Sequence, residues 1–531
     1  MSDVRSFIAA RTAELEPLYR DCGLACWDAN ITGKPEDFDR MATLQKQTLD
    51  IFSNTENFEK VKAFRADPAL KSDPLLARQI ELLYNWYRGA QGDQELLKRI
   101  VDLESEVVRE FNVYRADYDG EKRGNNYLEE ILKTTRNSDE AKATWEALKQ
   151  VGPIAAPRIV ELVKLRNQHA RNLGCSNFYQ LSLELNEIDQ DWLFDLLGQL
   201  EKQSDPLFRE MRTELDARLA DEFSIAVADL RPWHYRNAFF QEMPPDDSVD
   251  LTPTFRDQDL AEITEAYYDS IGLDISEMVE ASDLYEKEGK DQHAFCIGIE
   301  IPSDVRVLAN VKPGEYWAST MLHEFGHAVY YAYVDPELPF FLRNVPHTMT
   351  TEAVAMMNER FLSDAGFLEK IAGMDAVRAK EVETARRKYE SRKYLVFLRW
   401  VLVMTHFERA MYENPDQDLN QLWWKTVERF QWLNGAERHA YPDWASKLHL
   451  VSAPVYYHSY LLGEMTASQL LAALRTNVDV EKEGCIGNTK VGAFFVNSLF
   501  RHGATKHWND QMTETTGEPL NPRFFLSDLG A

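Results

Sequence analysis

The segment His323-Glu324-Phe325-Gly326-His327 is the feature that most constrains how this chain can fold. It is an H-E-x-x-H pattern inside a helical run, so the two histidines lie one turn apart and both imidazoles can reach one metal ion. Glu324 is rotated by about 100° from His323, which places it beside such an ion, as a general base for a water that the metal activates. The surrounding helix is apolar, and burying these polar side chains without a partner would be costly. The pattern predicts a zinc site with one ion per chain.

A catalytic zinc site needs a third protein ligand and keeps one position open. The best candidate is Glu352, which lies 25 residues after His327 in a second predicted helix, a spacing that leaves room for a loop and a return. Spacing alone leaves Glu359 of the same helix as a rival ligand. His347 is a weaker alternative.

The composition is that of a folded, acidic protein. The 531 residues include 59 Lys and Arg against 87 Asp and Glu, a net charge of −28. This balance argues against a nucleic-acid partner, because binding to phosphates needs clustered Lys and Arg. The five cysteines are few and odd in number, which suits a reducing compartment. With neither a signal-peptide pattern nor a membrane-length apolar segment, we expect a cytoplasmic protein that has no membrane partner.

Most of the chain shows helical periodicity, which predicts a mainly α fold. The clearest predicted helices cover residues 95–114, 140–149, 154–173, 191–219 and 376–412. One stretch breaks this pattern directly before the H-E-x-x-H helix. Residues 293–301 and 305–311 alternate in hydrophobicity around a Pro-Ser-Asp turn, which predicts a β-hairpin beside the zinc helix.

With these motifs, the sequence resembles the helical zinc peptidases that carry H-E-x-x-H and a downstream Glu. It resembles above all the angiotensin-converting enzyme family of peptidyl-dipeptidases, with features of the thimet oligopeptidase and oligoendopeptidase F group. Leu-Arg-Asn at 342–344 followed by Thr-Glu-Ala-Val at 351–354 is similar to the third-ligand segment of that family, which makes Glu352 the ligand. His293 and Ala294 are similar to a His-Ala pair that holds the substrate. They would lie on a strand edge able to pair with a peptide main chain.

A later segment, 447–460, carries Lys, His, Tyr and Tyr in the order found in the same family. The resemblance implies that Lys447 and Tyr456 hold a substrate carboxylate. It also implies that His449 and Tyr460 contact the reacting carbonyl.

The sequence departs from the family pattern at three places. Tyr460 falls one residue later than in the converting enzymes, with Ser459 at the strict spacing; the observed spacing resembles oligoendopeptidase F. Tyr457 and His458 stand where a chloride-linked arginine is expected, so chloride dependence is in doubt. Met356 stands four residues after the third ligand, where many relatives carry an Asp, so another group must orient a zinc-binding imidazole.

The resemblance implies two helical lobes around a deep peptide-binding groove. It also implies one catalytic unit over residues 1–531, with 290–465 as the zinc and substrate core and 1–120 as a helical lid. The expected activity is zinc-dependent hydrolysis of short peptides, with removal of dipeptides from a free C-terminus. Two alternatives remain open: an oligoendopeptidase that needs no free C-terminus, and an inactive relative that binds peptides.

Overall fold

The computed structural model describes residues 1–244 and 250–530, and the chain divides into two units. Unit 1 comprises Met1–Gln91, Ser248–Arg387 and Leu462–Phe525, and unit 2 comprises Gly92–Asp247, Lys388–Leu461 and Leu526–Ala531. Helices dominate both units, which confirms the prediction of a mainly α fold. The groove, the lid role of 1–120 and the 290–465 core stay predictions.

The helices of the described residues follow one another in this order: α1 (Ser2–Thr32), α2 (Pro35–Phe52), α3 (Thr55–Ala66), α4 (Pro74–Gly89), α5 (Gln94–Val113), α6 (Asn125–Thr134), α7 (Ser138–Lys149), α8 (Gly152–Asn172), α9 (Phe178–Leu185), α10 (Gln190–Phe223), α11 (Thr252–Phe255), α12 (Leu260–Ser270), α13 (Ser276–Ala281), α14 (Glu315–Ala332), α15 (Thr348–Arg360), α16 (Ala365–Lys370), α17 (Ala376–Glu413), α18 (Leu419–Gln431), α19 (His449–Ser452), α20 (Tyr457–Asn477), α21 (Val480–Glu483), α22 (Lys490–Ser498), α23 (Trp508–Thr516) and α24 (Arg523–Leu529). The strands are β1 (Ala116–Tyr118), β2 (Glu121–Arg123), β3 (Phe295–Glu300) and β4 (Asp304–Leu308). Within the described ranges, none of the helices is both long and apolar enough to span a membrane.

The five helices predicted from periodicity correspond to α5, α7, α8, α10 and α17, with ends within four residues of the predicted ones. Polar residues directly before three of them explain where they begin. The side chains of Asp93, Asn137 and Asp189 accept hydrogen bonds from backbone N–H groups in the first turns of α5, α7 and α10. Such caps satisfy donors that have no partner within the helix.

The predicted hairpin before the zinc helix is present as β3 and β4 in unit 1. The strands are antiparallel, with Phe295 opposite Leu308 and Cys296 opposite Val307. Val305 and Val307 are buried in the hydrophobic core that also contains the apolar residues of α14. The hairpin therefore packs beside the zinc helix, as the sequence predicted.

A second hairpin, which the sequence analysis did not predict, is formed by β1 and β2 in unit 2. Its turn is Asp119-Gly120, and both residues have positive φ, 51° and 76°. Asp-Gly is a strong signal for a two-residue hairpin turn. The signal was in the sequence, but the flanking strands of three residues each are too short to show alternation.

Helix α14 is packed against α15 at close range within unit 1. A Cβ atom added to Gly326 would lie 2.7 Å from the Cα of Ala355, closer than side chains approach a backbone. Only glycine at this position of the H-E-F-G-H segment allows the two helices to approach in this way. The close approach brings the N-terminal half of α15 alongside the two histidines.

Candidate metal centre and active site

His323 and His327 lie on α14 with their ring centroids 5.0 Å apart and their planes at 81°. Their Nε2 atoms lie 3.7 and 3.9 Å from the same oxygen, Oε2 of Glu352. Helix α15 supplies that glutamate. The structure thus brings together the three predicted ligands, here called the metal cluster.

The metal cluster fits a zinc ion. Its three ligand atoms lie within 4.8 Å of one another, and in the described part of the chain no other such group of three His, Cys, Asp or Glu is found. Two imidazoles and one carboxylate are a known donor set of catalytic zinc, in which a fourth position is left open. The ligand roles of these residues remain our proposal.

The two rival ligands have other contacts. Oε2 of Glu359 lies 3.4 Å from Nδ1 of His323, on the side of the ring opposite to Glu352. His347 is the N-cap residue of α15, where its Nδ1 accepts a hydrogen bond of 3.0 Å from the Met349 N–H. Neither residue belongs to the metal cluster.

Helix α20 also approaches the third ligand within unit 1. A Cβ atom added to Gly463 would lie 3.4 Å from the Cβ of Glu352 and 3.2 Å from the sulfur of Met356. Arg360, at the end of α15, donates a hydrogen bond of 2.6 Å to the carboxylate of Glu464. Packing and this ion pair therefore fix α15 against α20 beside the metal cluster.

Glu324, the predicted general base, is buried, with 8% of its surface exposed. Burial raises its pKa to about 7, and the neighbouring His323 and the backbone N–H of Cys296 act in the opposite direction. The Cys296 backbone N–H, in strand β3, thus lies near the carboxylate of Glu324. The buried carboxylate lies between α14 and the hairpin.

The acids and imidazoles of this centre influence one another strongly. Burial and the charge of His323 lower the pKa of His327 to about 3. Burial also acts to lower the pKa of His323. The hydrogen bond to Glu359 and the negative charges of Glu359, Glu324 and Glu352 have a larger, opposite effect, so the pKa of His323 is raised to about 9. Buried acids in such a group are costly without positive charge, and a divalent cation supplies it.

His293 and Ala294 precede strand β3 and are not part of it, which corrects their predicted place on the strand edge. The His293 side chain is 94% exposed, and its backbone N–H donates a hydrogen bond of 2.9 Å to the Asp291 side chain. Ala294 packs partly buried against the core that includes α14. Its position two residues before Cys296 places it close in the chain to the contact with Glu324.

The four remaining predicted residues lie in unit 2. Lys447 follows a short 3₁₀ turn, and its ammonium group donates a hydrogen bond of 2.7 Å to Oε1 of Gln241. The rings of Phe239, Trp400 and Tyr457 surround it, with centroids 5.3–5.6 Å away. Burial lowers the pKa of Lys447 to about 8.

A cavity of about 270 Å³ in unit 2 is lined by Lys447, Gln241 and His449 among others.

His449 begins α19, and its ring lies 5.0 Å from that of Tyr457. Burial, with the charge of Lys447, lowers the pKa of His449 to about 4. The rings of Tyr456 and Tyr460 meet edge to face, with centroids 5.0 Å apart. We refer to Lys447, His449, Tyr456 and Tyr460, together with Gln241, as the Lys447 group.

The backbone before Tyr456 has an unusual conformation. Val455 has a φ of 55°, and its N–H donates a hydrogen bond of 2.8 Å to the buried carboxylate of Glu408.

Ser459, at the strict family spacing, is buried, whereas Tyr460 is partly exposed. Partial exposure favours Tyr460 over Ser459 as the residue able to meet a ligand.

The sequence did not identify three of the polar contacts described above. Thr351 belongs to the third-ligand motif, but the motif does not predict that its hydroxyl oxygen lies 2.8 Å from Nδ1 of His327. The spacing of Glu359 predicts only a possible metal ligand, not a contact with Nδ1 of His323. Gln241 lies 206 residues before Lys447, and no local pattern around it signals a functional role.

Comparison with known proteins agrees with the sequence resemblance. The chain matches the peptidase M2 family, described as angiotensin-converting enzyme, over residues 1–521. It is also similar to the angiotensin-converting enzyme-like protein Ace3 of Mus musculus, with 22% identity over 452 residues, which are 75% of this chain and 58% of that relative. The chain thus spans less than two thirds of the length of that relative. The comparisons give no support to the oligoendopeptidase alternative. The match over nearly the whole chain shows that this protein belongs to the angiotensin-converting enzyme family of peptidases.

Proposed function

We propose that this protein is a zinc metallopeptidase that removes dipeptides from short peptides with a free C-terminus. The observation that carries the proposal is the metal cluster with Glu324 beside it, in a chain that belongs to a family of peptidases. Zinc bound by the cluster would supply Lewis-acid activation of a water molecule and of the peptide carbonyl.

Glu324 is the proton carrier in this proposal. Its carboxylate takes a proton from the attacking water and later passes it to the leaving amine. Its position next to His323 on α14 keeps it off the metal cluster, and its burial raises its pKa to about 7. A pKa near the working pH supports the proposed role, because it suits a group that first accepts a proton and then returns it.

His449 and Tyr460 are proposed to donate hydrogen bonds to the carbonyl oxygen as negative charge develops on it. The low pKa of His449 keeps its ring neutral near pH 7, so one ring nitrogen still carries a proton to donate. Removing one such donor typically reduces the rate by about 10²- to 10³-fold.

Lys447 is proposed to bind the C-terminal carboxylate of the peptide, with Tyr456 as a second contact. An ammonium group has three protons to donate, and Gln241 accepts one of them in this structure. The remaining donors suit a carboxylate. Burial among three aromatic rings strengthens a charged hydrogen bond by excluding water.

Cleavage of one pentapeptide in two forms, with a free C-terminus and with a C-terminal amide, tests this proposal. The zinc-loaded protein should release the C-terminal dipeptide from the free acid, detected by mass spectrometry, and cleave the amide at least tenfold more slowly. Equal internal cleavage of both forms would contradict the terminal specificity and indicate an oligoendopeptidase. Binding of both forms without cleavage would contradict the enzymatic role altogether.

A further inference from the structure

The carboxylates of α15 contact opposite sides of one zinc-binding imidazole. Glu352 and Glu359 are seven residues apart, so they lie two turns apart on the same helix face. Oε2 of Glu352 lies 3.7 Å from Nε2 of His323, and Oε2 of Glu359 lies 3.4 Å from Nδ1 of the same ring. The imidazole is therefore held between them.

The carboxylate of Glu359 is itself held in place from α14. The hydroxyl of Ser319, four residues before His323, donates a hydrogen bond of 2.9 Å to Oε1 of Glu359. One oxygen thus accepts from Ser319 while the other faces the imidazole. This hydrogen bond restricts the rotamers that the partly exposed glutamate can adopt.

The second histidine has a different partner. Nδ1 of His327 lies 2.8 Å from the buried hydroxyl oxygen of Thr351, which is neutral. The two predicted zinc-binding imidazoles are therefore not equivalent, because only that of His323 faces an anion through Nδ1. Met356, at the position where many relatives carry an Asp, has no carboxylate for this purpose.

We propose that Glu359 is the positioning residue of the metal centre. It accepts the Nδ1 proton of His323, so that Nε2 carries the lone pair toward the zinc, and its negative charge makes the imidazole a stronger donor. The inference rests on the proposed zinc site. Groups that orient zinc-binding imidazoles in this way typically contribute about 10- to 100-fold in metal affinity or activity.

The test compares the zinc affinity of four proteins by competition with a chelating indicator: the wild type, Glu359→Gln, Ser319→Ala and Glu369→Gln. Glu359→Gln keeps the shape of the side chain but removes its charge, and it should bind zinc about 10- to 100-fold more weakly. Ser319→Ala should weaken binding several-fold, because the carboxylate loses the hydrogen bond from the Ser319 hydroxyl. Glu369→Gln removes a charge from an exposed residue of α16 and should bind zinc like the wild type.

A second readout separates positioning from a loss of structure. With cobalt in place of zinc, the visible absorption spectrum should shift in Glu359→Gln and stay unchanged in Glu369→Gln, because only the former alters a ligand. Wild-type affinity and spectrum in Glu359→Gln would overturn the inference. If that variant does not fold, unchanged affinity in Ser319→Ala overturns it. A wild type that binds no zinc would instead contradict the proposed function.

Discussion

The metal cluster of unit 1 and the Lys447 group of unit 2 differ in how their residues are held. The cluster consists of two histidines from one helix and a glutamate from the next, brought together by the backbone approach at Gly326. The Lys447 group is spread over a turn, two helix starts and a distant loop residue, with a cation among aromatic rings. The first arrangement suits a metal and proton transfer, and the second suits a carboxylate.

This difference suggests that the two groups of residues have separate functions, which mutations can test. Changes around the metal cluster should affect zinc binding or turnover for every peptide. Changes at Lys447 or Tyr456 should affect only how well the protein distinguishes a free C-terminus from a blocked one, whereas changes at His449 or Tyr460 should slow cleavage of both kinds of peptide.

Glu324→Gln should reduce turnover by about 10²- to 10⁴-fold, the usual contribution of a general base. The zinc content should stay near that of the wild type, because Glu324 is not in the metal cluster. Zinc analysis and peptide turnover on the same preparation check both points, with Glu369→Gln as the control for charge. Undiminished cleavage would remove Glu324 from the mechanism.

Lys447→Met should reduce kcat/KM for the free-acid peptide by about 10- to 100-fold, since hydrogen bonds to charged groups contribute about 1.5–3 kcal/mol. The amide peptide, which offers no carboxylate, should be cleaved at its original rate, and the zinc content should not change. Methionine retains the apolar contacts with the surrounding rings. Equal losses of kcat/KM for both peptides would show that Lys447 does not recognise the C-terminal carboxylate.

Gly326→Ala tests whether the metal cluster depends on the close packing of α14 and α15. Alanine usually stabilises a helix interior relative to glycine by up to about 1 kcal/mol, but here its Cβ would meet the Ala355 backbone. We expect a loss of about 1–3 kcal/mol in the free energy of unfolding, as in overpacked cores, with weaker zinc binding. Denaturant unfolding of the metal-free protein measures the first effect.

Gly198→Ala in α10 is the matched control for this substitution. No atom lies within 4 Å of the position a Cβ would take there, so alanine should stabilise the protein slightly. A stability gain at both glycines would mean that α14 and α15 are not packed as closely as described.

The pH dependence of terminal recognition should follow the Lys447 ammonium group. Its pKa is lowered from the ordinary value to about 8, so the charged form prevails below pH 8 and is lost as the pH rises through it. The ratio of kcat/KM for the free-acid and amide peptides should therefore fall about tenfold between pH 7 and pH 9. The ratio removes the effect of any other ionising group of the protein that changes kcat/KM equally for both peptides. A constant ratio over this range would contradict the binding of the C-terminal carboxylate by the Lys447 ammonium group.

Local patterns predicted the helices and the metal cluster well, for identifiable reasons. Long periodic segments such as α10 and α17 were predicted with ends within four residues of the observed ones. The geometry of H-E-x-x-H follows from a single helix. Spacing could not separate Glu352 from Glu359, because residues seven apart share a helix face and both point to α14. Only the fold shows that they meet different nitrogens of His323.

Contacts between segments that lie far apart in the chain could not be predicted from the sequence. Gln241 joins Lys447 across 206 residues, and an isolated glutamine in a loop carries no periodicity or spacing. The second hairpin had a turn signal at Asp119-Gly120 but strands too short to recognise. The burial of Glu324 depends on how β3 packs against α14, which is decided by tertiary packing and not by either segment alone.

We infer that peptide hydrolysis by this protein depends on one zinc ion held by the metal cluster. The most direct measurement strips the protein with a chelator and titrates zinc back while cleavage of an unblocked pentapeptide is followed. We expect cleavage to disappear on stripping and to return in proportion to bound zinc, up to one ion per chain, and we expect no recovery in His327→Ala. Full cleavage by the stripped protein, or full recovery in His327→Ala, would contradict this inference.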